Sequence, residues 1–295
     1  AGLVGATGNN GKGIATYGWN TRVLPLQVLG DDGSGYTSTI VAAIYYAVDR
    51  GVDVINMSLG GDTNDPALET AINYAYAHNV VVVAAAGNCG TGNEAGCDPT
   101  KPGAMGYPAL NQHVIAVGAS TSTNVRASFS SYGPGLDVIA PGSGTIASPM
   151  WVQSNQTSAY ASSLYGTSFA SPLVAGYVAL VKSVRPHSTP DDITALVDGT
   201  AIKLPGMNGS IYTSEYGHGL INAQAALSIA SALNVTASAS VELLQTGSSS
   251  SEHSFTAATV LSSGCKTSTT AACTVWASND RGYDRYLPYT STNST

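Results

Sequence analysis

The sequence predicts an α/β fold, a mostly parallel sheet with helices on both faces. Three observations predict it. Short apolar runs rich in valine and isoleucine, 80–86 above all, have the length of buried strands. Segments with helical spacing lie between them. The two kinds alternate along the first half of the chain, the rhythm of a parallel sheet with crossover helices.

Residues 1–8 are small and apolar and read as the tail of a helix. Asn9-Asn10-Gly11-Lys12-Gly13-Ile14 follows as a tight loop, for which a plain turn suffices. Residues 22–29 read as a strand that ends at Gly30-Asp31-Asp32-Gly33-Ser34-Gly35. An amphipathic helix is predicted over 39–49, with Ile40, Ala43, Ile44 and Ala47 on one face. Residues 52–57 form a short buried strand, 66–78 a helix, and 80–86 the most strongly β-branched strand. Strands at 113–118 and 137–140 extend the sheet. A long apolar helix follows Ser168, a second starts at a cap near Thr189-Pro190-Asp191, and a last one covers 222–233.

Past this point Ser, Thr and Ala dominate. The chain divides into a domain over 1–233 and a linker with part of a β-type extension over 234–295. The strand-like runs of the extension, 240–244 and 274–276, are too few to close a sheet. With 295 residues there is room for one large core besides. Charged residues make up 10% and the net charge is −7, which argues against nucleic acid or an anionic membrane as partner. No apolar run reaches the roughly 18 residues that span a bilayer. The chain opens on Ala1-Gly2-Leu3-Val4 without Met or a charged leader, so its start reads as cut or processed. Cysteines occur as two local pairs, Cys89 with Cys97 and Cys265 with Cys273. Two small disulfide loops are expected rather than zinc, since no C-x-x-C or histidine cluster is present. A secreted or cell-surface location is expected, and separately a monomer.

Gly166-Thr167-Ser168-Phe169-Ala170-Ser171-Pro172 places a serine at the start of the long helix. Unpaired N–H groups and the helix dipole there favour developing negative charge. Pro172 is tolerated in a first turn, where its missing N–H costs nothing. A nucleophile and an ordinary N-cap serine both fit these residues. Ala170 stands where the α/β-hydrolase elbow needs glycine, so that motif is excluded.

The wider pattern decides. Gly-Thr-Ser-Phe-Ala-Ser-Pro resembles the serine motif of the subtilisin-like serine proteases (subtilases, peptidase family S8). Three further matches occur in that family's order: Val54-Ile55-Asn56-Met57-Ser58-Leu59-Gly60-Gly61, Val81-Val82-Val83-Ala84-Ala85-Ala86-Gly87-Asn88, and Tyr216-Gly217-His218-Gly219-Leu220-Ile221-Asn222. The resemblance implies an endopeptidase that forms an acyl-enzyme on Ser168, with the Asn88 amide and the Ser168 N–H stabilising the oxyanion. Read alone, Asn88 is a turn residue at a strand end. The resemblance also implies that Ser58, Leu59 and Gly60 on one side and Gly33, Ser34 and Gly35 on the other hold an extended peptide as an added strand. Read alone, Gly33 to Gly35 is a turn. Ala85, Ala86 and Gly87 would line the pocket for the residue before the scissile bond, with Gly106 at its base and Thr167 beside the nucleophile. Glycine at that base suits large apolar or aromatic side chains. Protein or peptide substrates are the implied partners, and no redox or nucleotide cofactor is called for.

By the same resemblance the 7–14 loop is a calcium loop. The Asn10 side chain and the carbonyls of Thr7, Lys12 and Ile14 would bind the ion, with further ligands from before residue 1. The triad shows a larger departure. The family runs Asp, His, Ser, with the His in a His-Gly-Thr-His segment that this chain lacks. His78, His113, His187, His218 and His253 all fall at surface or turn positions. Leu173 stands where many members carry His. Ala1-Gly2 matches residues just past the family's catalytic His, which implies that Asp and His lie upstream of Ala1. The domain would then lack its first strand and part of the His-bearing helix. That strand lies inside the family's sheet, so its neighbours would expose backbone, and the chain alone would turn over little substrate. The rival reading is a peptide-binding pseudoprotease or surface protein.

Overall fold

The apolar runs become strands in the expected order. β1 (Val54–Met57), β2 (Val81–Ala85), β3 (Val114–Ser120) and β4 (Val138–Pro141) lie side by side in one parallel sheet. Val54 pairs with Val81, Val82 with Val114, and Val117 with Val138. The computed structural model describes residues 1–11, 13–94, 96–144, 146–149, 160–232, 273–277 and 285–289. The chain divides into two units, Ala1–Ala226 and Leu227–Thr295.

Six helices are described: α1 (Gly2–Gly5), α2 (Thr37–Asp49), α3 (Pro66–Ala77), α4 (Thr167–Val184), α5 (Pro190–Thr200) and α6 (Ala223–Ala232). Their starts follow from local chemistry. Asp65 caps α3 by accepting from the Ala67 N–H at 2.8 Å, with Pro66 at the first helical position. Thr189 and Asp192 cap α5 reciprocally.

Successive strand residues point to opposite faces, so a strand buried on both must be apolar throughout. Val82 and Ala84 of β2 join one core with Ile44 and Val48 of α2 and Ile72 and Ala75 of α3. Val81 and Val83 face the other way, where α4 packs across all four strands. The helices thus cover both faces, as expected.

Three expectations need correcting or completing. Residues 22–29 do not form a strand: they run without a ladder, with Val23 41% and Leu24 42% exposed. Apolar composition favours extended backbone, but a strand exists only where a neighbour offers its N–H and C=O groups. Helix α4, at 18 residues, is long and apolar enough to cross a membrane by length and composition, contrary to the expectation that no run is. It is mostly buried against the sheet, which makes it a core helix. Two antiparallel pairs were not anticipated: β5 (Ile146–Pro149) with β6 (Tyr160–Leu164), and β7 (Cys273–Ala277) with β8 (Arg285–Tyr289). Serine, alanine and proline dilute the apolar alternation in these segments. The predicted run 274–276 lies within β7, while 240–244 falls outside the described residues.

Candidate active site

The first turn of α4 is set by Gly166, which caps it at φ 137°, a backbone angle that residues with a Cβ rarely adopt. Its N–H donates to Gly142 O at 2.8 Å. Thr167 and Ser168 are then the first two helical residues, and the helix leaves their N–H groups without an intrahelical carbonyl. Ser168 is half-buried. Its Oγ donates to Ser58 O at 3.3 Å, and Ser58 Oγ donates to Ser168 O at 2.9 Å. Asn56 completes the staple: its Nδ2 donates to Ser58 Oγ at 3.0 Å, and its Oδ1 accepts from Ser171 Oγ at 2.7 Å. The end of β1 is thereby tied to the first turn of α4.

Asn88 follows β2 and sits exposed beside that turn. Its Oδ1 accepts from Thr167 N at 2.9 Å and from Thr167 Oγ1 at 3.1 Å. Two donors on the oxygen fix which way the amide points, and leave Nδ2 as the donating end. Thr167 Oγ1 also accepts from Gly87 N at 3.2 Å. At Gly87 φ is 111°, and a Cβ would come within 2.9 Å of Ser131 Oγ. Glycine is needed there on both counts.

The loops expected around the substrate pocket do gather. Gly61 N donates to Tyr107 O at 2.9 Å and Tyr107 N to Gly61 O at 2.8 Å, while Gly106 N donates to Ala86 O at 3.2 Å. Gly106 packs so closely that a Cβ would lie 3.0 Å from Gly61 O. Ala85 and Ala86 are buried, so they present backbone rather than side chain. A cavity of about 440 Å³ opens on the other side of Ser168, between Leu3, Leu26 and Leu29 on one wall and Asn56 and Ser58 on the other. Gly87 and Gly106 do not line it. Ser34 and Gly35 line a neighbouring hollow of about 580 Å³ that shares Gln27, Val28 and Leu29 with the first; Gly33 lines neither.

None of the described histidines approaches Ser168. His78 packs on Tyr74, His113 stacks on Tyr76, His187 is exposed, and His218 lies 3.6 Å from Asp198; His253 is outside the described residues. Burial pushes the Asp198 carboxyl up and, helped by Lys203, the His218 imidazole down. Both shifts disfavour the charged forms and so weaken any ion pair across this contact. Asp137 is likewise pushed up by burial, although its Oδ2 accepts from Ala116 N at 2.6 Å.

The predicted Cys89–Cys97 disulfide is present, with a Cα separation of 5.5 Å. Cys265 and Lys12 lie outside the described residues, and so do the calls on them. In the 7–14 loop Thr7, Asn10 and Ile14 offer one amide oxygen and two carbonyls, and no carboxylate. That set falls short of the six to eight oxygens calcium takes. Asn56, Ser171 and Ser131 were missed from sequence. A polar Asn56 within an apolar strand, and Ser171 three residues along the helix from Ser168, were the available signals.

A sequence model of the Subtilase family matches residues 1–219. The chain is 43% identical over 226 residues to subtilisin DY from Bacillus licheniformis, covering 77% of this chain and 75% of that protein. It is 38% identical to alkaline elastase YaB from a Bacillus species, again over 77% of this chain but 53% of that one. Among solved structures, a protease from Pseudoalteromonas arctica superposes with a TM-score of 0.65 at 34% identity, covering 78% of this chain and 69% of the other. Fervidolysin from Fervidobacterium pennivorans, a keratinolytic enzyme related to subtilisin, gives 0.65 at 30% identity over 77% of this chain and 35% of its own. With Ser168 heading a helix, the Asn88 amide beside it and these relationships over three quarters of its length, the chain belongs to the subtilase family of serine proteases.

Proposed function

We propose that this chain carries the nucleophile and oxyanion half of a serine endopeptidase site. Ser168 Oγ attacks the scissile carbonyl. Asn88 Nδ2 and the Ser168 N–H then receive the oxyanion, and an acyl-enzyme forms on Ser168. The observation that carries this is the double hydrogen bond from Thr167 to Asn88 Oδ1, which turns the amide's donating end outward beside the serine. Ser58 to Gly60, Ala85 to Gly87 and Gly106 hold the peptide main chain and the residue before the cut, and Ser34 and Gly35 the more distant part of an extended substrate. The glycine at 106 suits large apolar side chains; such a pocket grades substrates by about 1–3 kcal/mol per methylene-sized change, so the preference is broad.

A serine needs a base, and the base an orienting acid. We assign both to polypeptide upstream of Ala1. The cavity between 26–29 and β1 supports this, because it opens directly beside Ser168 and residues 26–29 join no ladder among the described residues. Export to an oxidising compartment agrees with the Cys89–Cys97 bridge. A peptide-binding protein without turnover is favoured by one fact, that Ser168 Oγ donates to a carbonyl rather than to a base.

The test is Ser168→Ala in the protein as its source makes it, assayed on a peptide anilide. Turnover should drop by about 10⁶, the magnitude established with a subtilisin. Peptide binding with no turnover in the parent would instead establish the binding reading.

A further inference from the structure

Asn88 is exposed, yet the peptide groups on both its flanks are held by one fully buried residue. Ser131 N donates to Gly87 O at 2.9 Å, and Ser131 Oγ accepts from Cys89 N at 2.9 Å. Immediately downstream, Cys89 O accepts from Gly103 N at 2.7 Å and from Gly92 N at 3.1 Å. Cys89 is bonded to Cys97 eight residues on. Cys97 Sγ reaches 3.7 Å from Asn88 O. A disulfide sulfur carries no proton, so this is a packing contact and not a hydrogen bond.

We propose that Ser131 and the Cys89–Cys97 disulfide act together as a positioning clamp for the Asn88 amide, so that opening the bridge lowers kcat while KM holds. This rests on the oxyanion role proposed above for Asn88. Three physical points support it. Thr167 fixes the orientation of the amide but not the main chain that carries it. An oxyanion donor works only at about 2.7–3.1 Å from the developing charge, so a backbone shift of about 1 Å removes most of its effect. The loop from Cys89 to Cys97 is polar and glycine-bearing, with Thr91, Asn93 and Gly96 exposed, the kind of segment that opens locally when not tied down.

The bridge also makes the clamp sensitive to thiols. A dithiol's thiolate attacks one protein sulfur, the S–S bond breaks, and a mixed disulfide forms with the other protein sulfur leaving as thiolate. The reagent's second thiol closes its own disulfide and releases the first protein sulfur. Two electrons and two protons pass to the protein, which then carries two thiols.

The experiment compares kcat and KM on a peptide anilide for the protein as its source makes it, for Cys89→Ser with Cys97→Ser, and for Ser131→Ala. Each is also made in an Asn88→Ala background. Opening the bridge is expected to lower kcat about 10- to 100-fold, below the 10²–10³-fold cost of losing the donor outright known from a subtilisin. KM should move by less than about twofold. In the Asn88→Ala background the same changes should lower kcat by less than about twofold, because the group being positioned is gone. Should the double cysteine variant not fold, reduction of the parent by a dithiol and reoxidation supply the same comparison, with kcat falling and returning. An unchanged kcat without the bridge overturns the clamp, and so does an equal loss in the Asn88→Ala background. Turnover that survives Ser168→Ala overturns the catalytic reading and the clamp with it. Loss of turnover in Ser168→Ala together with a bridge-insensitive kcat overturns the clamp alone.

Discussion

Residues 81–85 and residues 22–29 are both apolar stretches of the same unit, and they end in opposite states. Val81, Val82 and Val83 are no more than 1% exposed and lie between β1 and β3. Val23 and Leu24 are more than 40% exposed and pair with nothing in a ladder. The difference teaches that strand propensity is a statement about neighbours as much as about the segment itself. It also divides the candidate site. Ser168 and Asn88 hang on the laddered region, whereas the cavity assigned to the base is walled by the other.

The largest effect should come from supplying the proposed upstream segment. Protein extended upstream of Ala1 with an Asp-bearing strand and a His-bearing helix should exceed this chain's turnover by about 10⁴-fold or more, the range known for triad loss in a subtilisin. Amide exchange should slow across 22–29 and change little in β2 and β3. Equal turnover with and without the extension would abolish the contrast.

A smaller effect separates the two regions by mutation. Ile72 on α3 is fully buried in the core that includes Val82. Ile72→Ala should cost about 2–5 kcal/mol in denaturant unfolding. Leu24→Ala should stay within about 0.5 kcal/mol, as for exposed sites without special contacts. Comparable costs would mean that 22–29 is packed in solution.

The smallest effect is a pH slope belonging to the laddered region. Asp137 and Asp198 are pushed up by burial, so the folded chain holds their protons at pH values where the unfolded chain has lost them. Their contribution to stability is complete below the ordinary carboxylate range and declines as pH rises through their folded values. His218, pushed down, acts oppositely: it favours the fold where imidazole is neutral and loses that contribution as pH falls. The urea midpoint should therefore fall less between about pH 5 and about pH 8 in Asp198→Asn than in the parent. Parallel profiles would remove these carboxyls from the account.

Much of this was legible from local pattern. The β-branched run ending in Ala85 announced a buried strand, Thr189-Pro190-Asp191 announced a cap, and the small residues around Ser168 announced a helix start. What escaped depends on distance along the chain. Ser131 bonds Cys89 across 42 residues, and Asn56 reaches Ser171 across 115. No window of sequence contains both ends of such contacts. The misreading of 22–29 has the same origin, since an apolar run does not say who pairs with it. Ser34 and Gly35 were placed beside the substrate by family resemblance, and they line the hollow that adjoins the cavity beside Ser168.

The unladdered stretch also bears on the chain's own survival. A peptidase that accepts extended main chain recognises segments whose N–H and C=O groups are not already engaged. Residues 22–29 offer that shape, with exposed apolar side chains and the turn at Gly30 to Gly35 just beyond. Without a ladder, this segment is where a first nick would fall. The piece released would keep Asn88 and Ser168 in its ordered remainder while losing the wall of the cavity beside them. Proteolysis would thus strip the wall of the cavity before it dismantled the sheet.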